Sequence, residues 1–210
     1  MSEENKSFKW LDVAREIQQL AQTGNAFAVT DYEKGRYKRL AEIASKIVEH
    51  HTQLEKEATL KVLMEQPGYA TPKVDVRAAI IKEGKILLVQ ESTDNCWAMP
   101  GGWADVGDYP SEVAIRETKE ESGFDVRPIK IIGVYDANRR GRRLEFFHAF
   151  KIIFLCELIG GEARVSDETL DVKFFSFDEL PPLSLNRTNL KHIEEIKLHL
   201  KDPERKAYFD

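Results

Sequence analysis

The chain has 210 residues, 42% hydrophobic and 32% charged, with a formal net charge of −5, which fits a globular protein with room for one large domain or a small and a medium one. The acidic balance argues against a broad electrostatic footprint for nucleic acid or an anionic membrane, and no apolar run approaches the length of a membrane span. The two cysteines, Cys96 and Cys156, form neither a metal-spaced cluster nor a disulfide framework, and the start MSEENKSFKW has no apolar h-region, so a cytoplasmic location without a signal peptide is expected.

The first seventy residues read as helix. Trp10, Val13, Ile17 and Leu20 step by three and four, and Gly24–Asn25 are expected to break that helix. A second stripe, Tyr37, Leu40, Ile43, Ala44, Ile47 and Val48, backs onto a charged face, and a third helix is expected from about Thr52 to Glu65. Pro67, Gly68 and Pro72 then mark a boundary, giving a helical N-terminal domain over 1–70 and a second domain over 71–210.

Beyond Pro72 the periodicity changes. VDVRAAII (74–81) and KILLVQES (85–92) are β-rich runs joined by a short turn, so a hairpin is predicted. A helix is predicted over 110–122, stopped by Gly123. IKIIGVYDA, FFHAFKIIFLCEL and DVKFFSF are three more strand candidates, and Ile193, Ile196, Leu198 and Leu200 mark a last helix over about 190–200. Strands interleaved with two helices give an α/β class with a mixed sheet and helices packed on it.

Glu117, Glu120 and Glu121 project from about one turn of the 110–122 helix, and like charges at that spacing destabilise it without a counterion. Arg116 cannot neutralise all three. A hard divalent cation, Mg2+ or Mn2+, takes oxygen ligands of this kind together with substrate phosphates, and the preceding GGWADVGD loop lets backbone carbonyls approach an ion. A bare E-x-x-E-E triplet is more often a solvated acidic face. Here, however, Gly102, Asp108, Arg116, Glu117, Glu120, Glu121 and Gly123 stand in one longer pattern, which resembles the Nudix box, G-x5-E-x7-R-E-U-x-E-E-x-G-U with U apolar. Two positions depart from it: Asp108 stands for the usual Glu, with a shorter reach towards Arg116, and Thr118 stands for an aliphatic residue.

The resemblance implies an α/β/α sandwich and metal-dependent hydrolysis of a nucleoside diphosphate linked to a further group. By position it implies Glu117, Glu120 and Glu121 as metal-binding carboxylates, Gly101 as a carbonyl ligand, and Arg116 as the residue that orients a glutamate with Asp108 bracing it. A base on a later loop or in the box is also implied, and Glu168 is the candidate ahead of Asp171. For the rest of the substrate the residues themselves offer Trp97 and Trp103 as stacking faces, Arg77 for the diphosphate, and Arg139, Arg140 and Arg142 in the basic NRRGRR turn. Each has a plainer alternative: core packing for the tryptophans, a surface ion pair for Arg77, a solvated hairpin tip for the turn.

The helical extension, with Tyr32, Arg36 and Tyr37 in a Y-x-x-x-R-Y core, resembles that of a bacterial Nudix subgroup that includes ADP-ribose pyrophosphatase-like enzymes and a CDP-choline pyrophosphatase, the latter being the nearer in overall pattern. That implies a homodimer and, as first substrate, CDP-choline cleaved to CMP and phosphocholine, with ADP-ribose or a nucleotide sugar next. Hydrolysis of RNA ends rests only on the basic turn, and RNA is a less favoured partner. A ligand-sensing, non-catalytic role is the further alternative, although the box glutamates are intact.

Overall fold

The computed structural model describes residues 10–52, 60–61, 68–137 and 148–210. The chain divides into two compact units, Met1–Pro72 and Lys73–Asp210. Among the described residues no helix is long and apolar enough to cross a membrane.

The first unit holds α1 (Trp10–Phe27) and α2 (Asp31–His51). Thr30 starts α2 with a capping box: its hydroxyl accepts from the Glu33 N–H at 3.2 Å, and its own N–H donates back to the Glu33 carboxylate at 3.0 Å. The expected break at Gly24–Asn25 is corrected, because α1 runs on to Phe27. Gly24 serves the packing instead. A Cβ there would lie 2.1 Å from the Tyr37 ring, so its absence lets α2 approach. The predicted stripe of α1 is shifted as well: Leu11, Ala14 and Ala21 are buried, while Leu20 is 58% exposed; on α2, Ala44 and Val48 of the predicted stripe are buried together with Ala41. The predicted third helix lies almost wholly outside the described residues.

The second unit contains β1 (Lys73–Lys82), β2 (Lys85–Glu91), β3 (Trp97–Ala98), α3 (Pro110–Ser122), β4 (Phe124–Asp136), β5 (Ala149–Gly161), β6 (Thr169–Ser176), α4 (Leu190–Lys201) and β7 (Tyr208–Phe209). The strands form one mixed sheet in the order β3-β2-β1-β5-β4-β7, with β6 paired to β2. Val76, Ala78, Ile80, Leu87 and Val89 pack with Val113 and Ala114 of α3. Ala79, Ile86 and Leu88 join a separate cluster with Ile193 and Ile196 of α4. Period-two alternation thus feeds two cores, and the unit is an α/β/α sandwich.

The predicted hairpin forms only at its tip, where Ile81 pairs with Ile86 and Lys82 with Lys85. Beyond it β1 runs parallel to β5 and β2 runs antiparallel to β6. The vacated edge of β1 is filled by the loop before α3: Val76 N–H donates to Gly102 O at 2.8 Å, Ala78 N–H to Pro100 O at 2.9 Å, and Ala104 N–H to Val74 O at 2.9 Å. β4 begins at Phe124, five residues earlier than the sequence pattern indicates. Pro128 obscures its start. The strand tolerates Pro128 because register shifts flank it and β7 covers β4 only at Gly133 and Val134.

Candidate active site

The loop that completes the edge of β1 also sets the position of α3. Gly101 lies so close to β1 that a Cβ would sit 2.0 Å from Val76 O. Its N–H donates to Glu121 Oε2 at 2.9 Å. Pro110 occupies the first turn of α3, where a missing N–H costs nothing, and Gly123 closes the helix with its N–H on Lys119 O. Thr118 takes the aliphatic box position without a polar penalty. It is fully buried, and its hydroxyl donates to Ala114 O at 2.7 Å.

A cavity of about 760 Å³ opens there, lined by Gly101, Gly102, Trp103, Arg116, Glu117, Glu120, Glu121 and Glu168. Asp75, Arg77, Glu91, Asp105, Ser166, Asp167, Asn186 and Arg187 complete its wall. Arg116 gathers the acids beside it: its Nη1 lies 2.6 Å from Glu117 Oε1 and 3.5 Å from Glu120 Oε2, and its Nη2 lies 3.3 Å from Asp108 Oδ2. The shorter Asp108 therefore still reaches Arg116. Glu168 is held at the rim by the loop backbone: its N–H donates to Ser166 Oγ at 3.2 Å and its carbonyl accepts from Ser92 N–H at 3.0 Å.

Burial pushes the Glu121 carboxyl up to about 7. Arg77 and the Gly101 N–H oppose that shift, while Glu91 and Glu117 add to it. Burial also raises Glu117 and Glu91 above the usual carboxylate range, against Arg116 in the first case and Arg187 in the second. Asp75 behaves in the opposite way: its burial is outweighed by Arg77 and Lys151, which hold it below the usual range.

Eight carboxylates and three guanidiniums line the cavity. That excess, on oxygen donors alone, suits a hard divalent cation. Gly102 makes room for the arrangement, since a Cβ there would lie 2.8 Å from a Glu117 carboxylate oxygen. Among the described residues no group of three or more His, Cys, Asp or Glu side chains is already disposed to hold an ion. Arg116 holds Glu117 and Glu120, and Glu121 is turned to Gly101. Glu120, with its side chain 60% exposed, has room to turn.

Other candidates fall elsewhere. Trp97 does not line the cavity. It is a core residue, 8% exposed and edge-on to Phe175 at 4.7 Å, because β3 pairs with β2 and turns the indole into the α4-side cluster. Trp103 is 48% exposed and stands in the wall. Asp171 is paired with Lys173 on β6, away from the lining. Arg139, Arg140 and Arg142 lie outside the described residues. The sequence reading missed Asp75, Glu91, Asn186 and Arg187. The signal for Glu91 was a carboxylate closing the strand soon after its apolar run ILLV. Asn186 and Arg187, in a polar loop, carried no such signal.

Comparison with known proteins finds a NUDIX domain over residues 71–196 and a UDP-X-like, N-terminal oligomerisation domain over residues 8–63. A Bacillus subtilis (strain 168) protein, YjhB, provisionally named an ADP-ribose pyrophosphatase, is 34% identical over 96% of this chain and 97% of its own. A UDP-X diphosphatase crystal structure is 31% identical, covers 96% of this chain and 98% of that one, and superposes with a TM-score of 0.62. An ADP-ribose pyrophosphatase from Streptococcus suis is 38% identical over 67% of this chain and all of that one, with a TM-score of 0.61.

Proposed function

The chain belongs to the Nudix family, and from that premise we propose that it hydrolyses the pyrophosphate bond of a small nucleoside diphosphate derivative, with ADP-ribose or a UDP-linked compound as the preferred substrate. One observation carries the reading: α3, the loop at β1 and the 166–168 loop bring the box glutamates, Arg77 and Glu168 to one cavity. CDP-choline, the first expectation from the sequence, moves behind these two, since the relatives described above are named for ADP-ribose and UDP-X.

Glu117, Glu120 and Glu121, with the Gly101 carbonyl, would hold Mg2+ or Mn2+. When bound, the ion neutralises phosphate charge and acidifies a water. Arg116 keeps Glu117 and Glu120 together and is itself braced by Asp108. Glu168 takes the proton of the attacking water as its oxygen bonds to phosphorus and the bond to the bridging oxygen breaks. Arg77 faces the diphosphate, and Trp103 offers a face to the base or the second moiety.

The test is a hydrolysis panel of ADP-ribose, UDP-sugars, CDP-choline, dinucleoside polyphosphates and a short RNA, each with Mg2+, Mn2+ or chelator. Metal-dependent cleavage led by ADP-ribose or a UDP-linked compound is expected. Preferential cleavage of RNA would overturn the small-substrate reading, and metal-independent binding without turnover would point to a sensor.

The first unit supports a homodimer. Phe27 at the end of α1, Val29 in the connection and Tyr32 at the start of α2 are exposed, Val29 at 88%, and exposed apolar side chains in a segment that matches an oligomerisation domain favour burial against a second copy. Light scattering is expected to give twice the chain mass of 24.1 kDa, and Val29→Asp to shift it towards monomer. A monomeric wild type at micromolar concentration would refute the dimer. The free thiols Cys96 and Cys156 suit a reducing, cytoplasmic setting.

A further inference from the structure

The cavity carries a second charged cluster in which carboxylates are shared between cations. Asp75 pairs with Arg77, Nε to Oδ1 at 2.9 Å, and also with the buried Lys151. Glu91, 5% exposed at the end of β2, has its Oε1 3.1 Å from Arg187 Nε and 4.0 Å from Arg77 Nη1. That oxygen nevertheless accepts no well-aligned hydrogen bond. Two guanidiniums from separate segments, β1 and the loop before α4, thus converge on one carboxylate oxygen that binds neither fully.

Each guanidinium is fixed by other partners. Arg77 donates to Asp75 and to Met99 O at 3.2 Å. Arg187 donates to Ser184 Oγ at 3.1 Å and Thr93 Oγ1 at 3.2 Å, with Asp94 Oδ2 3.8 Å away. A guanidinium has five N–H donors in a rigid fork, so two hydrogen bonds each leave donors over. Because both approach the same oxygen, the facing nitrogens lie no more than about 7 Å apart, a span that the oxygens of a single diphosphate can cover.

We propose that Arg187 binds the substrate's diphosphate together with Arg77, and that Glu91 is the positioning residue that sets the two guanidiniums in register. The inference rests on the reading that this cavity takes a nucleoside diphosphate derivative. Arg187 then touches substrate. Glu91 acts only through the two arginines, as a shared counterion that phosphate oxygens replace.

The probe is imidodiphosphate, a non-hydrolysable diphosphate, titrated with Mg2+ into the full chain by calorimetry, beside steady-state kinetics on ADP-ribose. Arg187→Gln should weaken imidodiphosphate binding and raise KM by about tenfold or more, the worth of one lost charge-assisted contact. Arg187→Lys keeps the charge without the fork and should fall between the two. Glu91→Gln should lower kcat by about tenfold through misplacement while imidodiphosphate still binds at least as well as to the wild type. A folded Arg187→Gln with wild-type affinity and KM overturns the Arg187 contact even if the enzyme is active. Should that variant fail to fold, an Arg187→Lys equal to wild type in both measures does the same. Glu91→Gln with unchanged kcat overturns the positioning role. A wild type that does not bind imidodiphosphate overturns the clamp. Arg187-dependent binding without hydrolysis of any substrate in the panel would instead sink the hydrolase reading and leave the clamp standing.

Discussion

Glu120→Gln is expected to lower kcat by about a thousandfold, the scale of losing one group that stabilises transition-state charge, and to leave the fold intact. The two halves of that expectation have different origins. Glu120 has its side chain 60% exposed, and Arg116 Nη1 at 3.5 Å is its ion-pair partner. An exposed pair of that length contributes little, so unfolding free energy should change by no more than about 0.5 kcal/mol. The activity loss follows from chemistry the helix cannot supply otherwise: the neutral amide keeps the shape and removes the charge that a divalent cation needs. Kinetics over a Mg2+ titration, beside thermal unfolding, would check both halves. Glu112→Gln, on the same helix but outside the cavity lining, serves as the control and should behave as wild type. A Glu120→Gln enzyme within tenfold of wild type would remove Glu120 from the metal-binding set.

Glu121→Gln should also abolish turnover, yet in chelator it should make the protein more stable at pH 8. Glu121 is 6% exposed, and burial pushes its carboxyl up to about 7 from the ordinary 4.5. The folded state therefore holds this proton where the unfolded chain has released it. A raised carboxyl contributes stability that is fully present below about 4.5 and is lost as pH rises through about 7. At pH 8 the wild type should have lost about 3 kcal/mol by this route, whereas the amide, still able to accept from the Gly101 N–H, loses none of it. Urea unfolding in chelator at pH 5 and pH 8 would show a small difference between the two proteins at pH 5 and a large one, favouring the variant, at pH 8. Equal stabilities at pH 8 would mean that Glu121 ionises there at no cost. Added Mg2+ should stabilise the wild type more than the variant, because only the carboxylate gains a counterion.

The two variants separate a box residue that lies in solvent from one that lies in the protein, a distinction the spacing E-x-x-E-E does not contain. What the sequence by itself determined was whatever is encoded by short-range spacing. The three- and four-residue steps placed α2, α3 and α4. The β-rich runs VDVRAAII and KILLVQES placed β1 and β2, and the 23-residue box pointed to the family and put Glu117, Glu120 and Glu121 on one turn of α3, where they line the cavity. Those signals are local because a helix turn or a strand pleat spans only a few residues. The burial stripe of α1, the start of β4 across Pro128 and the core position of Trp97 depended on what each element packs against, and the periodicity carried no record of it. The same holds for how the rest of the site comes together, although Arg77 and Glu168 are candidates from the sequence alone. Asp75, Arg77, Glu91, Glu168 and Arg187 come from segments far apart in the chain, and they meet because β1 and β2 part beyond their tip and a glycine loop takes the vacated edge. Only the tertiary structure decides such a meeting, since the energy of a charge is set by what faces it across space and not by its neighbours in the chain.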